Sequence, residues 1–100
     1  MAATVLYKPA AQAEIRDIAE YLEGQRPGFG RLFIEDIRRV EEFLRDNPGL
    51  YQLVNGPIRR AVLRRFPYGV FYIVEDEGIL VLACFHLHRD PRSYLDLIGR

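Results

Sequence analysis

The sequence predicts an α+β domain in which a helical hairpin packs on one face of an antiparallel sheet. Three observations carry that expectation. Two stretches in the first half place apolar residues at helical spacing on either side of a short Gly/Pro break. Two nearly continuous apolar runs in the second half are joined by a turn, and a short β-forming run stands ahead of the first helix. The expected order is strand, helix, helix, a three-stranded antiparallel meander and a short C-terminal helix, in one domain over residues 1–100.

Thr4 to Tyr7 is the opening strand, ended by Lys8-Pro9, and Pro9 suits the first position of a helix. Ala11, Ile15, Ile18, Ala19 and Leu22 then fall at helical spacing until Gly24, Pro27 and Gly28 interrupt them. The second helix carries the stripe Phe29, Phe33, Ile37, Val40 and Leu44. Glu35–Arg39, Arg38–Glu42 and Glu41–Arg45 support its outer face at four-residue spacing. Asn47-Pro48-Gly49 stops it, and the short connection predicts antiparallel helices.

Residues 57–66 hold four arginines and no acid, and read as the first strand of the meander. Residues 69–74 and 79–86 form the hairpin that follows, turning at Glu75-Asp76-Glu77-Gly78. Asp90-Pro91 opens the tail helix, with Tyr94, Leu95 and Ile98 on its apolar side.

At 100 residues the chain has room for one modest core and no separate cofactor domain. An apolar fraction of 49% with 28% charged residues excludes a disordered chain. Fourteen basic and fourteen acidic residues cancel, so no strong field draws the molecule onto nucleic acid or membrane, and direct DNA binding is not expected. Lys8 is the only lysine among those cations; the rest are arginines, which suit bidentate pairing with anionic groups. The single Cys84 excludes an internal disulfide and a cysteine-only metal cage, and reads as a small buried hydrophobe. The N-terminus lacks the basic-then-apolar arrangement of a signal peptide and no run approaches a membrane span, so a cytoplasmic protein is expected.

The hairpin is apolar on both faces. Val70, Tyr72 and Val74 oppose Phe71 and Ile73, while strict alternation sets Ile79, Val81, Ala83 and Phe85 against Leu80, Leu82 and Cys84. One helical hairpin covers one face only. The expectation is an exposed apolar flank that a partner chain covers.

Arg65-Phe66-Pro67-Tyr68-Gly69-Val70-Phe71-Tyr72, a turn, Ile79 to Phe85, and then His86-Leu87-His88-Arg89-Asp90-Pro91 resemble the RelE/ParE toxin superfamily. The first strand ending in Lys-Pro-Ala, Ile18-Ala19-Glu20-Tyr21 in the first helix and the Asn47-Pro48 stop agree, so the resemblance spans the chain. It implies a toxin of a type II toxin–antitoxin pair, held in a hetero-oligomer by an antitoxin whose C-terminal segment wraps along it. The antitoxin-binding residues expected are Arg59, Arg60, Arg64, Phe71, Ile73, Leu80 and Leu82.

The superfamily offers two activities. RelE-like members cleave messenger RNA on the ribosome, which requires activating a 2′-hydroxyl, stabilising charge on phosphorus and protonating the leaving oxygen. ParE-like members inhibit DNA gyrase by binding. Lysine is absent after position 8, and residues 50–65 contain no Glu or Asp to act as a base. For RNA cleavage the candidates are Arg65 as a phosphate clamp, His86 as proton donor and Tyr94 beyond them. The bland readings are arginines paired with helix or antitoxin carboxylates, a structural His86 and a Tyr94 that anchors the tail. His86 and His88 lack the further ligands a metal needs, and no cofactor is implied. The first helix and short tail are closer to ParE-like members. The leading expectation is therefore a non-enzymatic gyrase inhibitor whose target contact includes Arg89, Arg92 and Tyr94; the alternatives are a ribosome-dependent RNase and a non-toxic binding module.

Overall fold

A computed structural model describes residues 3–76 and 78–89 of the chain. The elements run β1 (Thr4–Tyr7), α1 (Pro9–Gln25), α2 (Phe29–Asp46), β2 (Gln52–Asn55), β3 (Ile58–Val62), β4 (Tyr68–Glu75) and β5 (Gly78–His86). The five strands form one sheet in the order β1-β5-β4-β3-β2. β1 lies parallel to β5, and every other pairing is antiparallel.

The expected α+β architecture is present, with one strand more in the meander. β2 pairs with β3 around a two-residue loop in which Gly56 takes φ 53°, a left-handed conformation that glycine adopts without strain. The loop is Gly56-Pro57 between the paired Asn55 and Ile58, and the four-residue β2 ahead of it is too short to stand out as a strand in the sequence. The arginine-rich strand is correspondingly shorter than residues 57–66 and ends at Val62. The tail helix expected from Asp90 lies outside the described residues.

Pro9 opens α1 at its first position. Gly28, at φ 94°, turns the chain into α2 without a capping side chain of its own. Glu23 supplies the cap from α1 instead, accepting the N–H groups of Gly28 and Gly30 at 3.1 Å each. Asn47 ends α2, its backbone N–H and its side-chain amide both donating to the Phe43 carbonyl.

The main core lies between hairpin and sheet. Phe33, Ile37, Val40 and Leu44 of α2 and Ala11 and Leu22 of α1 pack on Val70, Tyr72, Val81 and Cys84. Each large side chain buried there contributes about 1.5–3 kcal/mol. Tyr72 is fully buried and keeps its hydroxyl satisfied by donating to the Pro48 carbonyl at 2.9 Å.

Strict alternation fails in β5, and this corrects the expected facing of its side chains. Phe71 pairs with Ala83 while Tyr72 pairs with Val81, so Leu82 is an extra residue and the strand bulges. Ala83 and Phe85 therefore join Leu82 on the face away from the helices, and Cys84 joins Val81 beneath them. The Cys84 N–H donates to Glu14 Oε1 of α1 at 3.1 Å.

The bulge changes what the far face looks like. Phe85 stacks on Phe71 with ring centroids 4.3 Å apart. Ile58, Phe71, Leu82, Ala83 and Phe85 form a second cluster, with Phe71 at 0% and Leu82 at 3% exposure. The expected open flank is thus corrected, since its centre is closed within the chain. Ile73 and Leu80 are half-buried, and Leu6 beside Leu80 is 63% exposed.

Candidate functional site

Arg65 sits in the loop between β3 and β4, bound to α2. Its backbone N–H donates to Asp36 Oδ2 at 2.9 Å, its Nη1 donates to Glu35 Oε2 at 3.4 Å, and its Nε lies 3.7 Å from Asp36 Oδ1. Asp36 is 1% exposed, so the backbone bond carries most of this attachment, while the exposed Glu35 pair adds 1 kcal/mol at most. Sequence reasoning missed Asp36. The signal was an acid on the apolar stripe, three residues after Phe33 and four before Val40.

His86, the last residue of β5, stands opposite Tyr68. Its ring meets Tyr68 edge-on at 5.2 Å and His88 at 5.1 Å. The His88 N–H donates to His86 Nδ1, so that nitrogen is an acceptor and Nε2 is the one left for other work. The described residues keep Arg65 and His86 on different partners: one is held over α2, the other against an aromatic edge. Tyr94, the third member of the RNA-cleaving set, and Arg92 lie outside the described residues.

The other arginines divide by face. Arg59 points under the helices, where its Nη1 donates to the carbonyls of Tyr51 at 2.7 Å and Gly49 at 3.1 Å and pins the segment after α2. Arg60 is paired with Phe71 on the far face, its Nε buried with no hydrogen-bond partner among the described residues. Arg64 is exposed. Arg89 is exposed as well, its guanidinium 4.7 Å from the centroid of the Phe85 ring. The far face therefore joins an aromatic stack to two arginines.

The helix side offers a different surface. A groove of about 450 Å³ runs between α1 and α2, floored by Ile15, Ala19, Ile34 and Ile37 and rimmed by Arg16, Glu20, Arg38 and Glu41. At its end the Tyr7 hydroxyl donates to Glu41 Oε1 at 2.7 Å, and Arg45 binds Glu41 Oε2 at 3.0 Å. Burial, then the Glu41 hydrogen bond, raises the Tyr7 pKa beyond the ordinary tyrosine range. Burial likewise pushes the Cys84 thiol up to about 12, with the Glu14 carboxylate adding to it. Such a thiol is no nucleophile at neutral pH. Among the described residues no three His, Cys, Asp or Glu side chains gather as a metal site, and no helix is long and apolar enough to cross a membrane.

Residues 5–91 match the family model of the ParE toxin of type II toxin–antitoxin systems, parDE. The fold is similar to the chromosomal ParDE toxin–antitoxin system from P. aeruginosa, with a TM-score of 0.74 at 18% identity over 84% of this chain and 95% of the other. An arginine-to-alanine double mutant of the E. coli toxin RelE in the free state aligns with TM-score 0.71 and 17% identity, over 100% of this chain and 98% of that one. The toxin–antitoxin complex RelBE2 from M. tuberculosis aligns with TM-score 0.57 and 19% identity, over 86% and 99%. No curated protein sequence matches significantly.

Proposed function

The chain belongs to the ParE toxin family of type II toxin–antitoxin systems, and from that premise we propose that it acts by binding, with DNA gyrase as its target and a cognate antitoxin as its restraint. One observation supports binding over hydrolysis. The Arg65 guanidinium that RNA cleavage would recruit faces two α2 carboxylates, and residues 50–65 hold no acid to serve as a base. A gyrase inhibitor needs no acid–base pair. Its target contact begins at the exposed Arg89 and continues through Arg92 and Tyr94 in the sequence. The gyrase target sets the site of action in the cytoplasm.

The antitoxin segment finds two supports. The groove between α1 and α2 fits the apolar face of an amphipathic helix. Of the residues expected to bind it, Arg64, Ile73 and Leu80 retain exposure, whereas Phe71 and Leu82 contribute to the closed cluster and Arg59 holds an internal loop.

A second reading, a ribosome-dependent RNase, has one observation in its favour. Arg60, in register with Phe71, and the exposed Arg89, over the Phe85 ring, bring two guanidiniums to the far face, and arginines suit RNA phosphates. Inducing the chain alone in bacteria separates the two. Filamentous cells with intact messages, together with loss of gyrase supercoiling by the purified chain, are expected. Cut messages with arrested translation, abolished by Arg65→Ala or His86→Gln in folded variants, would instead establish the nuclease. Unaffected growth would leave a non-toxic binding module.

A further inference from the structure

β1 is an edge strand, and among the described residues its outer side is met only at the Ala3 N–H, which donates to the Arg45 carbonyl at the end of α2 at 2.9 Å. The Lys8 N–H donates inward to the Val81 carbonyl at 2.9 Å. Backbone groups alternate sides along a strand, so Leu6 and Thr4 also turn theirs toward β5, and Val5 and Tyr7 turn theirs outward. From Val5 to Tyr7 the described residues place no charge, proline or bulge on that edge. Val5 and Tyr7 flank Leu6, the side chain of which is 63% exposed, and the first proline comes only at Pro9. Thr4 and Leu6 also line a notch of about 510 Å³ with Leu80 and the acidic pair Glu75 and Asp76 at the β4–β5 turn.

We propose that this edge pairs with β1 of a second copy of the chain, antiparallel about a two-fold axis through Leu6. The register is dictated by the alternation. With Leu6 opposite Leu6, Val5 of each copy faces Tyr7 of the other, and these are the residues whose N–H and C=O groups point outward. The two exposed leucines meet at the axis. Lys8 of each copy arrives beside Thr4 of the other, next to the Glu75 and Asp76 carboxylates. Apolar, hydrogen-bonding and charged groups are all self-complementary, as an isologous contact requires. The sheet then runs continuously through both copies, and the contact, being only one short strand deep, is weak and reversible.

Sedimentation equilibrium of the full chain, free of antitoxin, tests this, read beside amide hydrogen exchange. A concentration-dependent monomer–dimer equilibrium is expected, with the Val5 and Tyr7 amides slowing at least tenfold as the dimer fills and the Leu6 amide slow throughout. Lys8→Glu should weaken the dimer at least tenfold, and adding Glu75→Lys with Asp76→Lys should restore it. Leu6→Asp should abolish it without disturbing the unfolding transition. A monomer at every concentration overturns the proposal. So does a dimer whose Val5 and Tyr7 amides stay fast, or one indifferent to Lys8→Glu. Protection of those two amides only when antitoxin is added assigns the edge to the antitoxin and also overturns it.

Discussion

Cys84 shows how one misplaced residue redirects a chemical expectation. Alternation sets it against Val81, the bulge at Leu82 puts it on the same side under α1, and burial beside Glu14 keeps its proton on. The thiol should resist a disulfide reagent at pH 8 in the native protein and react at once in denaturant. Its pKa in the fold, about 12, lies above the ordinary thiol value of 9.0, so the unfolded chain loses this proton first. Stability is then full below pH 9 and falls as pH rises toward 12, more steeply above pH 10, where Tyr72, also raised to about 12, adds to the loss. Urea midpoints from pH 7 to 11 check the slope; a flat profile above pH 9 would contradict the burial. The thiol's burial was legible from its apolar neighbours. Its facing was not, because an inserted strand residue leaves no mark in a run that is apolar throughout.

At the scale of elements, both helices and four of the five strands were legible, each because a periodic stripe and a breaker stand together. Helix ends were less so. The cap of α2 comes from Glu23, five residues before the helix-opening Gly28, and follows from the hairpin's closeness rather than from a local motif. That closeness rests on Gly30, where an added Cβ would lie 2.9 Å from the Ala19 carbonyl oxygen. Gly30→Ala should therefore destabilise the protein by about 1–3 kcal/mol despite alanine's better helix propensity, because the obstacle is backbone and cannot rotate away. Thermal melts of the variant check this; an unchanged or raised midpoint would show that the helices separate freely.

For the molecule as a whole, the need for an obligatory companion that a two-faced hairpin implies lessens once Phe85 stacks on Phe71 and Phe71 and Leu82 are buried. The partner adds to a formed protein rather than completing one. The isolated chain should unfold in urea in one cooperative transition, with coincident near- and far-ultraviolet dichroism; strong dye binding and lost tertiary signal at neutral pH would mark a molten state and contradict it. Family membership was legible from motifs that lie on the loop before β4 and at the end of β5. The surfaces were not, since exposure depends on which residues of one strand lie over which of another, and that is a property of register.

The pairing of β1 with β5 sets a condition on synthesis. The first strand made finds its neighbour in the last described strand of the sheet, with two helices and three strands translated between them. A nascent chain can form its helical hairpin early, but its sheet stays unfinished until residues 78–86 have cleared the exit tunnel. The sheet, and any surface built across it, is therefore completed late in synthesis, after the helical hairpin that will cover it.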